Sequence, residues 1–193
     1  MEEKNAILGI ATLKSMEALT AVYRHNYRAK EVPNADPARR HLNKELIAGG
    51  DVPYADVVSQ RIAVSPYYQA RNVRQNAVLL VEVLLTHSPL PGGVEIPRTQ
   101  WEQANLRWLE ERFGLKNVIS VVCHYDEHTP HIHAVVIPML EDGRLGSSRM
   151  LGGREGFKRM HDSYAAAMAQ FGFVRGVEGS TAKHVRIKSS MDC

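Results

Sequence analysis

Cysteine is nearly absent: Cys123 and Cys193 are the two in 193 residues. That excludes a disulfide framework and favours a reducing compartment, the cytoplasm. No apolar segment approaches the roughly 18 residues that a membrane span requires. The opening "MEEKNAILGIATLK" carries neither the basic leader nor the cleavage site of a secretory signal. A strong charge of one sign is also missing. The formal charge is +3, so an anionic partner would be met by a localised basic track and not by general polyanion affinity. There is no internal repeat and no low-complexity tract. His-Glu-x-x-His does not occur, which argues against the helix of zinc proteases. What is present, 44% hydrophobic and 23% charged residues, is ordinary for a soluble globular protein, and the length suits a single domain over 1–193.

The punctuation of the chain suggests an α+β fold. "NAILGIATL" reads as a strand, and Ser15 as the N-cap of a helix through "MEALTAVYRHNYRAK". Met16, Leu19, Tyr23 and Tyr27 form one apolar stripe of that helix; Ala18, Val22, His25 and Ala29 form a neighbouring stripe of smaller residues. "EVPNADPARRH" is loop. A second helix begins near Pro53, with Val57, Ile62 and Val64 as its apolar residues. "NAVLLVEVLLT" is a strand interrupted by one awkward carboxylate, Glu82. Thr99-x-x-Glu102 reads as a capping box for an amphipathic helix closed by Gly114. "NVISVVCHYD" and "HIHAVVIPML" are two further strands, Asp142-Gly143 is a turn, and Arg154 to Phe171 is a helix stopped by Gly172. The order β-α-α-β-α-β-β-α favours a mostly antiparallel central sheet covered by helices.

Against this ordinary background, four of the nine histidines fall within "HYDEHTPHIH", residues 124–133. Strand alternation puts His131 and His133 on one face, with Val135 and Ile137 continuing it. If the preceding strand pairs antiparallel through "YDEHTP", His124 reaches the same face. Three imidazoles converging from adjacent strands make a nitrogen pocket for a divalent metal, with positions left open for water or substrate. Asp126 or Glu127 would be a further ligand, or a partner that fixes an imidazole tautomer. His128 lies in the connection, off the alternation.

These residues resemble a known family. "HYDEHTPHIHAVVIP" is similar to the third motif, H-x-D-E…P-H-x-H, of the Mob/Pre (MOBV) plasmid mobilisation relaxases, members of the HUH endonucleases. "YRHNYR" resembles the first motif, H-x-x-R, through His25 and Arg28. "ARRHLNKEL" resembles the second, through His41, Asn43, Glu45 and Leu46, with Lys44 where the family has tyrosine. The late "GSTAKH" resembles an element that follows the last helix, so the likeness runs over essentially the whole chain. It implies a strand transferase that nicks one DNA strand at a plasmid origin of transfer and stays attached to the 5′ phosphate during conjugative mobilisation. It also implies Mn2+ or Mg2+ on His124, His131 and His133, with His25 as nucleophile. Implied partners are the origin DNA, single-stranded around the nick, and other mobilisation or conjugation proteins. Family members usually continue into a further C-terminal part.

Chemistry adds expectations of its own. Neutral His25 can attack phosphorus, since an imidazole of pKa about 6.5 is mostly free base at neutral pH. Glu82 either orients His25 or is an edge-strand carboxylate or a partner of Arg74. Tyr23 and Tyr27, on the larger apolar stripe, are rival nucleophiles whose default role is packing. Arg28 is a phosphate or metal-site neighbour. Basic residues for DNA phosphates are Arg71, Arg74, Arg149, Arg154 and Lys183, with Arg39, Arg40, Arg144, Lys158, Arg159, Arg186 and Lys188 in the same clusters. Three other readings share the metal site: a rolling-circle initiator or related HUH single-strand nuclease, a phosphodiesterase that uses water and forms no adduct, and a non-catalytic DNA-binding module with a structural ion.

Overall fold

The computed structural model describes residues 4–90 and 96–176. Its centre is a six-stranded sheet in the order β2-β4-β5-β3-β1-β6. The strands are β1 (Asn5–Leu13), β2 (Lys44–Ile47), β3 (Leu80–His87), β4 (Val118–His124), β5 (His131–Val136) and β6 (Val174–Arg175). Every pairing is antiparallel except that of β1 with β6. The helices are α1 (Met16–Asn26), α2 (Tyr54–Ala63), α3 (Arg98–Phe113), α4 (Ser147–Leu151) and α5 (Gly153–Met168). Among the described residues no helix is long and apolar enough to cross a membrane.

Alternation along the strands separates two apolar layers. Val81, Val83 and Leu85 of β3, Val121 and Cys123 of β4, and Ile132, Ala134 and Val136 of β5 pack with Trp101, Trp108 and Leu109 of α3 and Met160 and Tyr164 of α5. The other side is smaller: Leu19 of α1, Tyr54 and Val58 of α2, Leu80, Val135 and Ile137. The histidine end of β5 lies on this second face, beyond the apolar patch.

Several local expectations hold. Ser15 caps α1, its Oγ accepting from the Ala18 amide at 3.2 Å. Gly114 closes α3 with φ 71°, and Gly143 and Gly172 turn the chain at φ 79° and 78°.

Others are corrected. Helix α1 stops at Asn26, not at Lys30, because Arg28 takes a left-handed φ of 52°; its guanidinium is held by carboxylates across the fold, which offsets the cost of that conformation. The capping box does not form. Pro97 occupies the N-cap position of α3 with no side-chain cap, and Glu102 is buried, bonded instead to Lys44 and Tyr125. The buried residues of α2 are Tyr54 and Val58, while Val64 is 72% exposed. Strands β2 and β6 and the short α4 are additional to the expected order. Strand β3 is internal, so Glu82 is not an edge residue.

Candidate active site

Register assembles the centre. His124 pairs with His131 across the β4–β5 hairpin, and His133 lies opposite Leu84 of β3. The rings of His124, His131 and His133 stand with centroids 5.1 Å apart in every pair. His25, in the last turn of α1, brings a fourth ring, 5.1 Å from His133 and 5.8 Å from His124. Donor atoms lie within 4.8 Å of one another in two overlapping sets, His25/His124/His133 and His124/Glu127/His131.

Hydrogen bonds fix the tautomers. A carbonyl oxygen only accepts, so the His124 nitrogen 2.9 Å from the Asn26 carbonyl, Nε2, carries the proton. His131 Nδ1 likewise donates to the Thr129 carbonyl at 2.9 Å. His133 Nδ1 donates to Glu82 Oε1 at 2.9 Å. Each ring therefore turns a bare nitrogen inward, and the lone pairs of His124 Nδ1 and His131 Nε2 face each other at 3.2 Å. A cation between them relieves that repulsion. Protons are a poor choice, because burial together with neighbouring His133 and Arg28 pushes His124 down to about 2. Burial also lowers His131 and His133. Two buried imidazoles, His124 and His133, and the half-buried His131, with outer nitrogens satisfied and inner nitrogens bare, are the donor set of a divalent transition ion, and the residues fit one.

Glu82 thus orients His133 and not His25 by hydrogen bonding, although its charge faces His25. No salt bridge joins it to Arg74 among the described residues. His25 is half-buried, and burial, then Arg28, lowers its pKa, keeping the ring neutral. No hydrogen bond restricts its nitrogens among the described residues.

Arg28 closes the floor. Its Nε and Nη2 meet Asp126 at 2.9 and 2.6 Å, and Nη2 also meets Glu127 at 2.8 Å. Asn43 donates to Asp126 at 2.7 Å and accepts from the amides of Tyr125 and Asp126. Burial would raise the Asp126 carboxyl, but Arg28 and Asn43 outweigh it and hold it at about 2. Asp126 is consumed by this lattice. Glu127, 3.6 Å from His131 Nε2, stays close to the ring nitrogens.

Both tyrosines beside His25 are engaged. The Tyr23 hydroxyl donates to the Gly50 carbonyl at 2.6 Å, and that of Tyr27 donates to Glu45 at 2.6 Å. Burial and the Glu45 carboxylate push the Tyr27 hydroxyl up, away from the phenolate a nucleophile needs. The Gly49 and Gly50 amides close on the same Glu45 oxygen at 2.7 and 2.9 Å. A Cβ at Gly50 would lie 2.7 Å from the Tyr27 ring, and one at Gly49 2.5 Å from the Ile119 carbonyl. Glu45 and two glycines therefore seat the end of α1.

Lys44 sits on the other face: it pairs with Cys123, whose side chain is in the α3 layer, and its Nζ meets Glu102 at 2.5 Å. It does not stand in for a partner of His25. Nor does the structure gather every expected DNA contact. Arg71 stacks on Tyr67 and Arg74 precedes β3, at the end of the sheet away from the histidines. Arg149 and Arg154 are exposed on α4 and α5, which pack on the opposite face. Lys183 lies outside the described residues. Asn26, Thr129 and Glu102 went unnoticed in the sequence. The first two act through backbone carbonyls, which leave no residue signature, and Glu102 was disguised by the capping pattern.

Residues 3–190 match the family model described as Mob_Pre, plasmid recombination enzyme. The chain belongs to this family. A 65 kDa protein of Zymomonas mobilis subsp. mobilis is 34% identical over 95% of this chain and 32% of that protein. Plasmid recombination enzyme type 1 of Staphylococcus aureus is 29% identical over 94% of this chain and 45% of its own length. The chain therefore spans less than half of these curated relatives. Among solved structures, the MobM relaxase domain (MOBV; Mob_Pre), Mn-bound and in complex with plasmid pMV158 oriT DNA, superposes with a TM-score of 0.81 at 26% identity, covering 94% of this chain and 95% of that one. The Mob_Pre sheet with helices on both faces is thus the fold of this chain.

Proposed function

We propose that this chain is a relaxase: it cuts one DNA strand at a plasmid origin of transfer and holds the 5′ phosphate on His25. A divalent ion, Mn2+ or Mg2+, sits on His124, His131 and His133. Membership of the family and the Mn-bound, oriT-bound MobM domain support this reading. The observation that carries it is the position of His25, a neutral imidazole with unrestricted nitrogens, donor atom within 4.8 Å of those of two fixed histidines.

The ion supplies a positive centre for the non-bridging phosphate oxygens. The chain does the rest. The His25 lone pair attacks phosphorus, the P–N bond forms, and the P–O3′ bond breaks with its electron pair going to the 3′ oxygen, which takes up a proton. The ring left on phosphate is cationic, and the charges of Glu127 and Glu82 offset it. Reversal rejoins the strand, because the phosphoramidate keeps the energy that hydrolysis would release. Arg28 positions Asp126 and Glu127 beneath the hairpin, acting through them instead of on the phosphate. Arg71, Arg74, Arg149 and Arg154 are left for strand segments distant from the cut.

The test is incubation with supercoiled origin-containing plasmid and Mn2+, followed by peptide mapping of the 5′ adduct. Adduct on His25, lost with chelator, is expected, and His25→Ala should lower nicking by about a thousandfold or more. An adduct on Tyr23 or Tyr27, or nicking with no adduct at all, overturns the assignment.

A further inference from the structure

Behind the hairpin, on the α3 face, lies a cavity of about 300 Å3 that none of the chemistry above uses. Its rim is cationic and its floor apolar. Arg98, at the start of α3, stacks its guanidinium 4.8 Å from the centroid of the Tyr125 ring. Arg39 comes from the turn before β2, and exposed His128 hangs from the hairpin tip. Leu90, Ile96 and Trp101 supply the apolar wall.

The wall is shared with the metal centre. Tyr125 directly follows His124. Thr129, whose carbonyl fixes the His131 tautomer, lines the cavity together with Pro130. Pro130 is tied in turn to β3 by the Thr86 hydroxyl at 2.8 Å. The hairpin thus has two working sides: imidazoles on one, and on the other a flat guanidinium–aromatic stack beside a second guanidinium. Planar cations stacked on rings, next to apolar walls, are what single-stranded nucleic acid uses: the base lies against the plate and the phosphate meets the charges.

We propose that this cavity receives one nucleotide of the cut strand, close to the cleaved bond, with its base against the Arg98–Tyr125 stack and its phosphate at Arg39. The assignment rests on the relaxase reading. It makes Arg39, Arg98 and His128 determinants of where along the strand the metal centre engages. His128, set aside in the sequence as part of a connection, becomes a contact.

The test uses a labelled single-stranded oligonucleotide carrying the cognate nick site, with single abasic positions moved across the residues on either side of the nick. Binding is read by fluorescence anisotropy. Wild-type protein should lose about tenfold or more in affinity at one position near the nick, the scale of one lost base stack. In Arg39→Ala/Arg98→Ala, which alters exposed side chains, intact DNA should bind more weakly and that abasic position should cost nothing further. Equal losses in both proteins, or no sensitive position, overturn the proposal. A deoxymononucleotide should fail to displace the oligonucleotide; displacement at comparable concentration would mean a site for free nucleotide and overturn it as well. Nicking of the intact oligonucleotide in Mn2+ is scored separately. Its absence in wild type removes the relaxase reading, whereas nicking without a coupled abasic position removes the nucleotide pocket alone.

Discussion

On the α3–α5 face of the sheet, Val83 and Leu85 of β3 lie beside Ala134 and Ile132 of β5, in a layer dominated by hydrocarbon. On the opposite face the same two strands present Glu82, Thr86, His131 and His133. One face gains stability by excluding water from hydrocarbon. The other buries imidazoles and carboxylates, each of which would be costly unpaired, so every outer nitrogen and most carboxylate oxygens are matched to a fixed partner. Stability and chemistry are thereby assigned to different sides of one set of strands.

Breaking the apolar side should give the largest thermodynamic change with the least change in chemistry. Leu109, fully buried on α3, replaced by alanine should cost about 2–5 kcal/mol in denaturant unfolding, while nicking per folded molecule stays within reach of wild type. A comparable loss of nicking per folded molecule would dissolve the division between the faces. On the polar side, Glu82→Gln should leave stability nearly unchanged. It should weaken Mn2+ binding by about 10–100-fold, as loss of a ligand-orienting carboxylate does; calorimetric titration with the ion reads this directly.

Acid should find the polar side first. Asp126 is held at about 2 in the folded protein, below the about 3.9 of an unfolded aspartate. A depressed carboxyl contributes its stability fully above the unfolded value and loses it as pH falls towards the folded one. Unfolding midpoints should therefore drop as pH falls from about 4 to about 2, and Asp126→Asn should flatten that part of the curve. The smallest effect is expected at Lys44. Lys44→Tyr introduces the tyrosine that the motif resemblance implies, yet position 44 faces the α3 layer, so nicking should change by less than about threefold. A large gain would show that the side chain reaches the histidine face.

The sequence made this division partly visible. Period-two alternation in "HIHAVV" was enough to put His131 and His133 on one face, and the register confirms it together with His124. Helix starts marked by a side-chain cap, such as Ser15, and stops marked by glycine, such as Gly114 and Gly172, were readable for the same reason: each is a local rule. What failed depended on distant partners. Thr99-x-x-Glu102 satisfied a local capping pattern, but Tyr125 and Lys44 claimed the carboxylate. The end of α1 was set by Asp126, far along the chain, which holds Arg28 in a conformation its sequence neighbours do not request. Glu82 was legible as anomalous and its imidazole partner as a type, while the choice of His133 over His25 required the pairing of β3 with β5.

The hairpin has a consequence for the order in which the protein assembles. His124 and His131 are seven positions apart in sequence, and closing so short a loop costs little chain entropy and takes place early. Glu82 and His25 must come from far upstream, with the long loop closures that slow folding. On the relaxase reading proposed above, a chain with α1 still undocked would offer hairpin imidazoles to an ion but no His25 to form a bond with DNA. Docking of α1, latched by Arg28 to Asp126 and by Tyr27 to Glu45, is the event that brings the His25 ring beside those of His124 and His133.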